Sequence, residues 1–406
     1  MTPEIRSITA DEASTYRTAI RAGFGSNDTV DDDEWSRAAI RPVERALAAF
    51  DQDRIVATFQ SFPTEVTLPG GVAVPGGGVT AVTCRATHRR QGILTRMMNR
   101  DLAMSREHGE VVDVLIAAEY PIYGRFGYGP AVLASNWELD ATAEFSTPGS
   151  GTVEYIDNEA FRKEAPAIFE RVRLARPGMI GRDDLDWDVR ADLRRRPEDK
   201  PWTGFRLLVR DDAGVAQGWA NYEHKEHWSD MRPSATAEVY DLCAVTPAAE
   251  ARLWRFLAEL DHVATVKSGD RPLDEILPWL LVNGRAAKQT SRFDFIWVRP
   301  LDVPALLTTR SYTATGGAVL EIIDDQGLAG GRFALDASPD GATCVVTDRS
   351  ADVTMSVRTL GTASLGGVRL SSLQAPRWTD QHAPRCVVIA DALLSGPVTP
   401  WCNTWF

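Results

Sequence analysis

Nothing in these 406 residues approaches the roughly 18 uninterrupted apolar positions that a membrane span needs. The opening MTPEIRSITADEASTYRTAI likewise lacks the apolar core of a secretory leader, so the expected location is the cytoplasm. Cysteine is scarce and scattered: Cys84, Cys243, Cys344, Cys386 and Cys402 form no C-x-x-C pair, which argues against a disulfide framework and a structural zinc site. Positive charge is in deficit, 44 basic against 56 acidic residues for a net charge of −12. That balance disfavours nucleic acid and anionic membrane as partners, and it favours cationic substrates by long-range steering. Also missing are the G-x-x-x-x-G-K-[ST] loop of nucleoside triphosphate enzymes and the G-x-G-x-x-G turn of dinucleotide folds.

The most informative stretch that is present runs from Val79 to Arg100. A β-branched run (Val79, Thr80, Val82, Thr83) breaks into Arg89-Arg90-Gln91-Gly92, and a helix follows with Ile93/Met97 and Leu94/Met98 at i, i+4. A helix N-terminus offers unpaired backbone N–H groups and the positive end of the macrodipole, and Gly92 removes the Cβ that would block a ligand. Strand, basic turn and helix together predict a cradle for pyrophosphate, with the amides of Arg90, Gln91, Gly92, Ile93, Leu94 and Thr95 as donors and the arginine charge of Arg89 and Arg90 alongside. A second apolar strand, Val111 to Ala118, lies at the interval of a parallel crossover and leads into Glu119-Tyr120-Pro121-Ile122-Tyr123-Gly124-Arg125-Phe126-Gly127-Tyr128-Gly129-Pro130. The chain ends Pro400-Trp401-Cys402-Asn403-Thr404-Trp405-Phe406, an uncharged aromatic terminus that predicts docking inside the molecule.

Arg89-x-x-Gly92-x-Leu94 resembles the R/Q-x-x-G-x-G/A signature of the GNAT superfamily of N-acetyltransferases, with Leu94 in place of a small residue. The words THRR-x-G-[IL]-L and I-Y-G-R-F-G-Y-G-P-A, in this order, resemble the enhanced intracellular survival (Eis) family within it, and the likeness extends over the full length. The resemblance implies tandem GNAT-like α/β domains, the first active and the second degenerate, followed by an α+β domain like sterol carrier proteins. It implies acetyl-CoA as co-substrate, no metal, broad amine acceptors such as aminoglycosides and lysine side chains, and a homohexamer built from trimers. It also implies that Tyr123 is the general acid and that the carboxylate of Phe406 is the general base. Two positions depart from the family: Trp405 stands where an acidic residue precedes the terminal Phe, and Ala118 where others have Ser.

Acetyl transfer needs a held thioester, and the strand before the cradle is expected to splay around Val82, Thr83 and Cys84. Its free backbone groups can then pair with the pantetheine arm and polarise the carbonyl. Ala118 and Glu119 would wall the other side. Tyr123 suits protonation of a leaving thiolate, and desolvation among Trp401, Trp405 and Phe406 is expected to make the terminal carboxylate a better base. Cys84 has no His base evidently placed to activate it and reads as a structural thiol.

Length alone predicts two or three domains, and the expected bounds are 1–145, 146–297 and 298–406. In the first, a helix is expected near Asp11 to Ala22, strands at Arg54 to Phe62 and Glu65 to Leu68, and a hairpin over the Gly-rich run from Pro69 to Gly78. Ser146 to Gly151 reads as a linker. The second repeats the plan with a strand from Ala235 to Val245, a Pro247-led helix and a strand at Val263 to Val266, but its turn, Thr246-Pro247-Ala248-Ala249-Glu250, lacks arginine and glycine. The third shows short strands at Ala318 to Ile323, Gly331 to Leu335 and Thr343 to Thr347, and a helical piece near Met355 to Thr362. His224-x-x-His227 reads as a polar hairpin rather than a metal site. The acidic run Asp28 to Glu34, with Trp35, has two readings, an entrance for a polycation or a solvated helix start. The competing function is a non-catalytic scaffold, or an apolar-ligand carrier, built on a retained acetyltransferase fold.

Overall fold

The structure of the chain, a computed structural model, describes residues 3–30, 33–40, 42–374, 379–381 and 386–406. Contacts sort it into two units, Met1–Val132 with Phe295–Val398 and Trp405–Phe406, and Leu133–Asp294 with Thr399–Thr404.

The first unit opens with β1 (Glu4–Ser7), the helices α1 (Ala13–Gly23) and α2 (Asp33–Ala39), and an antiparallel meander of β2 (Ala46–Asp51), β3 (Arg54–Thr67) and β4 (Ala73–Cys84). Helix α3 (Ile93–Glu107) crosses over to β5 (Val112–Ile116), parallel to β4, and α4 (Tyr120–Tyr123) and β6 (Gly129–Pro130) follow. The two strands expected at 54–62 and 65–68 are one continuous β3, because Pro63 lies within its ladder opposite Gly77. The turn expected over 69–78 closes within Leu68–Val72, and Gly76 to Gly78 belong to β4. They are glycines for packing rather than turning. A Cβ on Gly77 would stand 2.2 Å from Asp113 Oδ1, and one on Gly78 2.3 Å from the ring of Phe62.

The second unit is a seven-stranded sheet in the order β15-β7-β14-β13-β10-β9-β8, built from β7 (Leu133–Asp140), β8 (Thr152–Tyr155), β9 (Phe205–Arg210), β10 (Ala216–Lys225), β13 (Ala235–Ala244), β14 (Val263–Lys267) and β15 (Ala287–Asp294). Between β10 and β13 a two-stranded ribbon, β11 (Trp228–Ser229) and β12 (Arg232–Pro233), follows His224 and His227, so that segment folds as a hairpin. Its helices are α5 (Asn158–Arg173), α6 (Asp184–Arg190) and α7 (Pro247–Ala258). The division from the first unit falls at Val132/Leu133, earlier than the expected 145, because β7 pairs with β14 and β15. The stretch read as a linker, though mostly exposed, lies within this unit and is tied to it: Ser146 N–H donates to Leu280 O and Ser150 N–H to Ala248 O, and a Cβ on Gly149 would stand 2.4 Å from Arg252 N.

Strand β16 (Ile296–Pro300) returns to the first unit, pairing antiparallel with β5 and with β6 in the sheet order β1-β2-β3-β4-β5-β16-β6. The rest of that unit is α8 (Val303–Thr309), a mixed sheet of β17 (Gly316–Ile323), β18 (Gly331–Ser338), β19 (Gly341–Val346), β20 (Val353–Ser356) and β21 (Thr379–Gln381), and the helices α9 (Val357–Ser364), α10 (Leu370–Leu373) and α11 (Cys386–Leu394). Met355 lies on a strand rather than in the helix expected there. Ser356 ends the strand by accepting from Thr359 N–H as the N-cap of α9. The core of this region is closed by Leu320, Phe333, Leu360 and Leu393.

Candidate active site

The parallel ladder between β4 and β5 covers only Gly76–Val79 against Val112–Leu115. Beyond Val79 the two strands part, and Thr80 to Cys84 pair with β3 alone. Their outward backbone groups are what a ligand can use. A bulge marks the parting: the register jumps between Thr58↔Thr83 and Gln60↔Thr80, and Ala81 takes φ +51°. Thr58 locks it, donating from Oγ1 to Ala81 O at 2.8 Å with Thr83 Oγ1 at 2.7 Å. Phe59 N–H, displaced from the ladder, donates to Tyr16 Oη at 3.2 Å.

Strand β4 leads through a short 3-10 turn (Ala86–His88) to Arg89, Arg90, Gln91 and Gly92, all exposed. Gly92 is the N-cap of α3, in the left-handed region at φ +72°, and no side chain caps this helix. The first-turn amides of Ile93, Leu94 and Thr95 have no intrahelical acceptor and no acidic neighbour in that turn. Arg90 also takes φ +62°, which bends the turn, and Arg89 Nε reaches Cys84 O at 3.5 Å. Ile93 is buried, Leu94 half-buried and Thr95 exposed, so the helix is anchored by its apolar face while its N-terminus faces solvent. Val82, Thr83 and Cys84 are half-buried. Burial raises the Cys84 thiol, with Arg89 opposing, and keeps it protonated rather than nucleophilic.

On the other side of the opening, β5 gives way to exposed Ala118 and Glu119, and Glu119 is the N-cap of α4. Tyr123 ends α4 and is 7% exposed. Burial, and then Glu119, push its phenol above the ordinary value. Tyr123, Ile93 and Met97 lie in one apolar cluster with Val79, and Val82, Cys84, Leu94 and Ala117 pack against it. The tertiary fold therefore brings Tyr123, the open end of β4 and the first turn of α3 together. The ring of Tyr128, fully buried, stands edge-on to Tyr123 with centroids 6.3 Å apart.

Phe406 packs edge-on against Phe62, 5.3 Å between centroids, and Phe62 lies over Gly78, next to the last paired residue of β4. Because Val79 faces α3, alternation puts Gly78 and the Phe62–Phe406 pair on the opposite face of the sheet. The expected aromatic shell around the carboxylate does not form as read. Trp405 is 61% exposed, its ring edge-on to Phe295 at 5.0 Å, and Trp401 is committed to the second unit's core with Phe161, Trp187 and Trp219. Docking of the tail rests on residues 401 to 404. Trp401 N–H donates to Pro177 O, Asn403 Nδ2 to Asp241 Oδ1, and Arg182 to Thr404 Oγ1 and Asn403 O.

In the acidic run, Asp31 and Asp32 lie outside the described residues. Asp28 pairs with Arg21 at 2.7 Å, α2 starts at Asp33, and the Trp35 ring is buried with the Arg17 guanidinium 5.9 Å away. A solvated helix start fits better than an aromatic entrance, since a buried ring offers no face to a substrate. Sequence reading also missed Thr58, Phe62, Tyr128 and Arg299. Thr58, Phe62 and Arg299 act through partners distant in sequence, Ala81, Phe406 and Asp324, that no local spacing marks, and Tyr128 meets Tyr123 within the motif itself.

The second unit shows what the same plan looks like when closed. Strand β13 parts from β14 after Glu238↔Lys267, but Arg271, 3% exposed, fills the gap. Its Nη1 donates to Leu242 O at 2.6 Å, Nε to Glu275 at 2.6 Å and Nη2 to Glu250, over the ring of Trp401. Helix α7 is capped by its own Thr246, whose Oγ1 accepts from Ala249 N–H, with Pro247 in the first turn. The backbone groups left open in the first unit are here taken by the chain itself.

Comparison with known proteins agrees with this architecture. Acetyltransferase (GNAT) domain profiles match residues 4–131 and 178–300, and a sterol carrier protein domain profile matches 303–403. An uncharacterised N-acetyltransferase of Streptomyces avermitilis is 41% identical over 99% of this chain and 98% of its own. N-acetyltransferase Eis of Mycobacterium bovis is 36% identical over 76% of this chain and 75% of its own. The crystal structure of Eis1 from Mycobacterium abscessus, 28% identical, superposes with a TM-score of 0.86 over 99% of this chain and 100% of that one. The chain belongs to the Eis family of GNAT N-acetyltransferases, with two GNAT domains followed by a sterol-carrier-like domain.

Proposed function

We propose that the first unit moves an acetyl group from acetyl-CoA to an amino group of a cationic acceptor, an aminoglycoside or another polyamine, with lysine side chains as further acceptors. The observation that carries this reading is the shared cluster of Tyr123, the unpaired end of β4 and the uncapped first turn of α3. The amides from Arg90 to Thr95 would hold the pyrophosphate, with Arg89 and Arg90 supplying charge. The outward groups of Val82, Thr83 and Cys84 would pair with the pantetheine arm, with Ala118 and Glu119 opposite.

In this reading a neutral amine attacks the thioester carbonyl, the C–S bond breaks, and the thiolate takes its proton from the Tyr123 hydroxyl. The ammonium proton passes to the terminal carboxylate of Phe406, so protons balance without a covalent enzyme intermediate. The raised phenol suits this assignment, since Tyr123 stays protonated across the neutral range. The net charge of −12 favours polycations in diffusion. A homohexamer and a cytoplasmic location belong to the same proposal, and sedimentation of the purified chain tests the former. The primary test is thiol release from acetyl-CoA with kanamycin as acceptor: turnover that falls sharply in Tyr123→Phe supports the assignment, and equal turnover removes Tyr123 from the chemistry.

A further inference from the structure

Away from that site, the second unit holds a cavity of about 420 Å³ between the end of α6, the 192–202 segment and the strands β9, β10 and β13. Its charges are unevenly committed. Among the acids, Asp192 accepts from Trp202 N–H and pairs with Arg195, Glu223 holds Lys225 and the Tyr240 hydroxyl, and Asp241 holds Asn403 and Trp219, while exposed Asp199 and Lys200 at the rim add one charge of each sign. Among the bases, Arg206 is 4% exposed and makes no ion pair among the described residues. Its Nε donates to Asn158 Oδ1 at 2.8 Å and its Nη2 to Arg190 O at 2.9 Å, both neutral acceptors. The guanidinium of Arg190 has no ion pair among the described residues either.

A buried guanidinium without a directly paired anion is costly, and burial pulls Arg206 down to about 10, with the more distant charges of Asp192 and Asp241 opposing. Two more groups are left over. Asn221 is 6% exposed and its Oδ1 accepts from nothing described, and the buried Nε1 of Trp202 donates to nothing described. The indole of Trp202 stands edge-on to Tyr240 at 5.5 Å and forms an aromatic side to the cavity. Donors in excess and one orphaned acceptor match a ligand that carries an anionic oxygen group and a hydroxyl.

We propose that this cavity binds a small hydroxylated organic anion, a carboxylate or a phosphate ester, with Arg206 and Arg190 on the anion, Asn221 Oδ1 accepting a hydroxyl and Trp202 Nε1 donating to an oxygen. The proposal is independent of the acetyl-transfer chemistry of the first unit. The chain is titrated calorimetrically with gluconate, glucose 6-phosphate and, as the uncharged counterpart, glucose. Binding of either anion but not of glucose supports the site, and gluconate alone or glucose 6-phosphate alone identifies the anionic group. Arg206→Gln should weaken the anion by about tenfold or more, the loss of one charge-assisted contact. The more exposed Arg190→Gln should act in the same direction without a change in melting temperature. Acetyl-CoA binding should be unchanged in both. No heat from either anion at millimolar concentration, equal binding of glucose, or full affinity in Arg190→Gln overturns the proposal.

Discussion

Arg299 donates from Nε to the main-chain oxygen of Phe126 at 2.8 Å and holds both carboxylate oxygens of Asp324 with Nη2, at 2.9 and 2.8 Å. Phe126 lies in the turn that follows Tyr123, and Asp324 in turn accepts from the N–H groups of Gln326, Leu328 and Ala329. A residue of the first sheet thus ties the tyrosine's turn to a loop of the sterol-carrier-like region. Both side chains are almost fully buried. Asp324→Ala leaves the guanidinium buried without its anion and should cost about 3–5 kcal/mol of stability. If Arg299 positions Tyr123, kcat should fall while KM for acetyl-CoA holds; a variant that melts early yet turns over normally at low temperature would limit the pair to a structural role. The carboxyl of Asp324, although burial opposes it, is held below its ordinary value by Arg299 and the backbone N–H groups. Its contribution is therefore present above the ordinary value and is lost as pH falls through the lowered one.

Tyr123→Phe keeps the ring in its cluster and removes only the hydroxyl. Turnover with a saturating amine should fall by about 10²–10⁴, with acetyl-CoA affinity unchanged by calorimetry. A rate within a factor of two of the parent chain would contradict the acid role.

Extending the chain beyond Phe406 moves the terminal charge away from the ring that packs on Phe62. With that carboxylate as base, two added glycines should lower the rate by at least about 10², and proteolytic removal of the extension should restore it. Full activity in the extended chain would exclude the role.

A Cβ on Gly92 would meet no protein atom within 4 Å, yet the residue's φ is +72°. Gly92→Ala should therefore cost about 1–2 kcal/mol through backbone strain alone. A methyl at the mouth of the open amides should also raise KM for acetyl-CoA and leave KM for the amine unchanged. An unaltered acetyl-CoA KM would mean that the phosphate lies elsewhere.

Behind the sheet, Arg45, Glu110, Asp101, Ser61 and Ser105 form a buried cluster, and Asp113 lies in it beneath Gly77. Burial pushes the Asp101 carboxyl up to about 6, with Ser61 and Arg45 opposing. The folded chain then holds this proton more tightly than the unfolded one. The resulting stability is complete below the unfolded value near 3.9 and lost as pH rises through about 6. Asp101→Asn should flatten the melting-temperature profile between about pH 4 and 6, an effect on the order of 2 kcal/mol. An unchanged slope would assign it to other groups. Burial raises the Asp113 carboxyl in the same direction, reinforced by Asp101 and Glu110.

Much of this was legible in the residues themselves. The cradle, the crossover to β5 and the degenerate turn at Thr246 to Glu250 are local patterns, in which periodicity, glycine and proline act within a few positions. Other expectations broke where a local pattern met a distant partner. The glycines from Gly76 to Gly78 look like turn residues, but they line a strand because Asp113 and Phe62 need the space. Ser146 to Gly151 looks like a linker but lies within the second unit, tied to it by backbone hydrogen bonds to Leu280 and Ala248. Trp401 and Trp405, close together in an aromatic tail, have opposite fates, one in a core and one exposed.

By itself the sequence determined the kind of unit each segment builds and where a helix opens with bare amides, because hydrogen-bond periodicity and capping are decided over four or five residues. Only the tertiary structure decided that Tyr123 shares a cluster with that helix, that Phe406 lies on Phe62, and that Arg271 closes the second unit's opening. Those outcomes depend on burial and on pairing between side chains far apart along the chain, which no local spacing encodes.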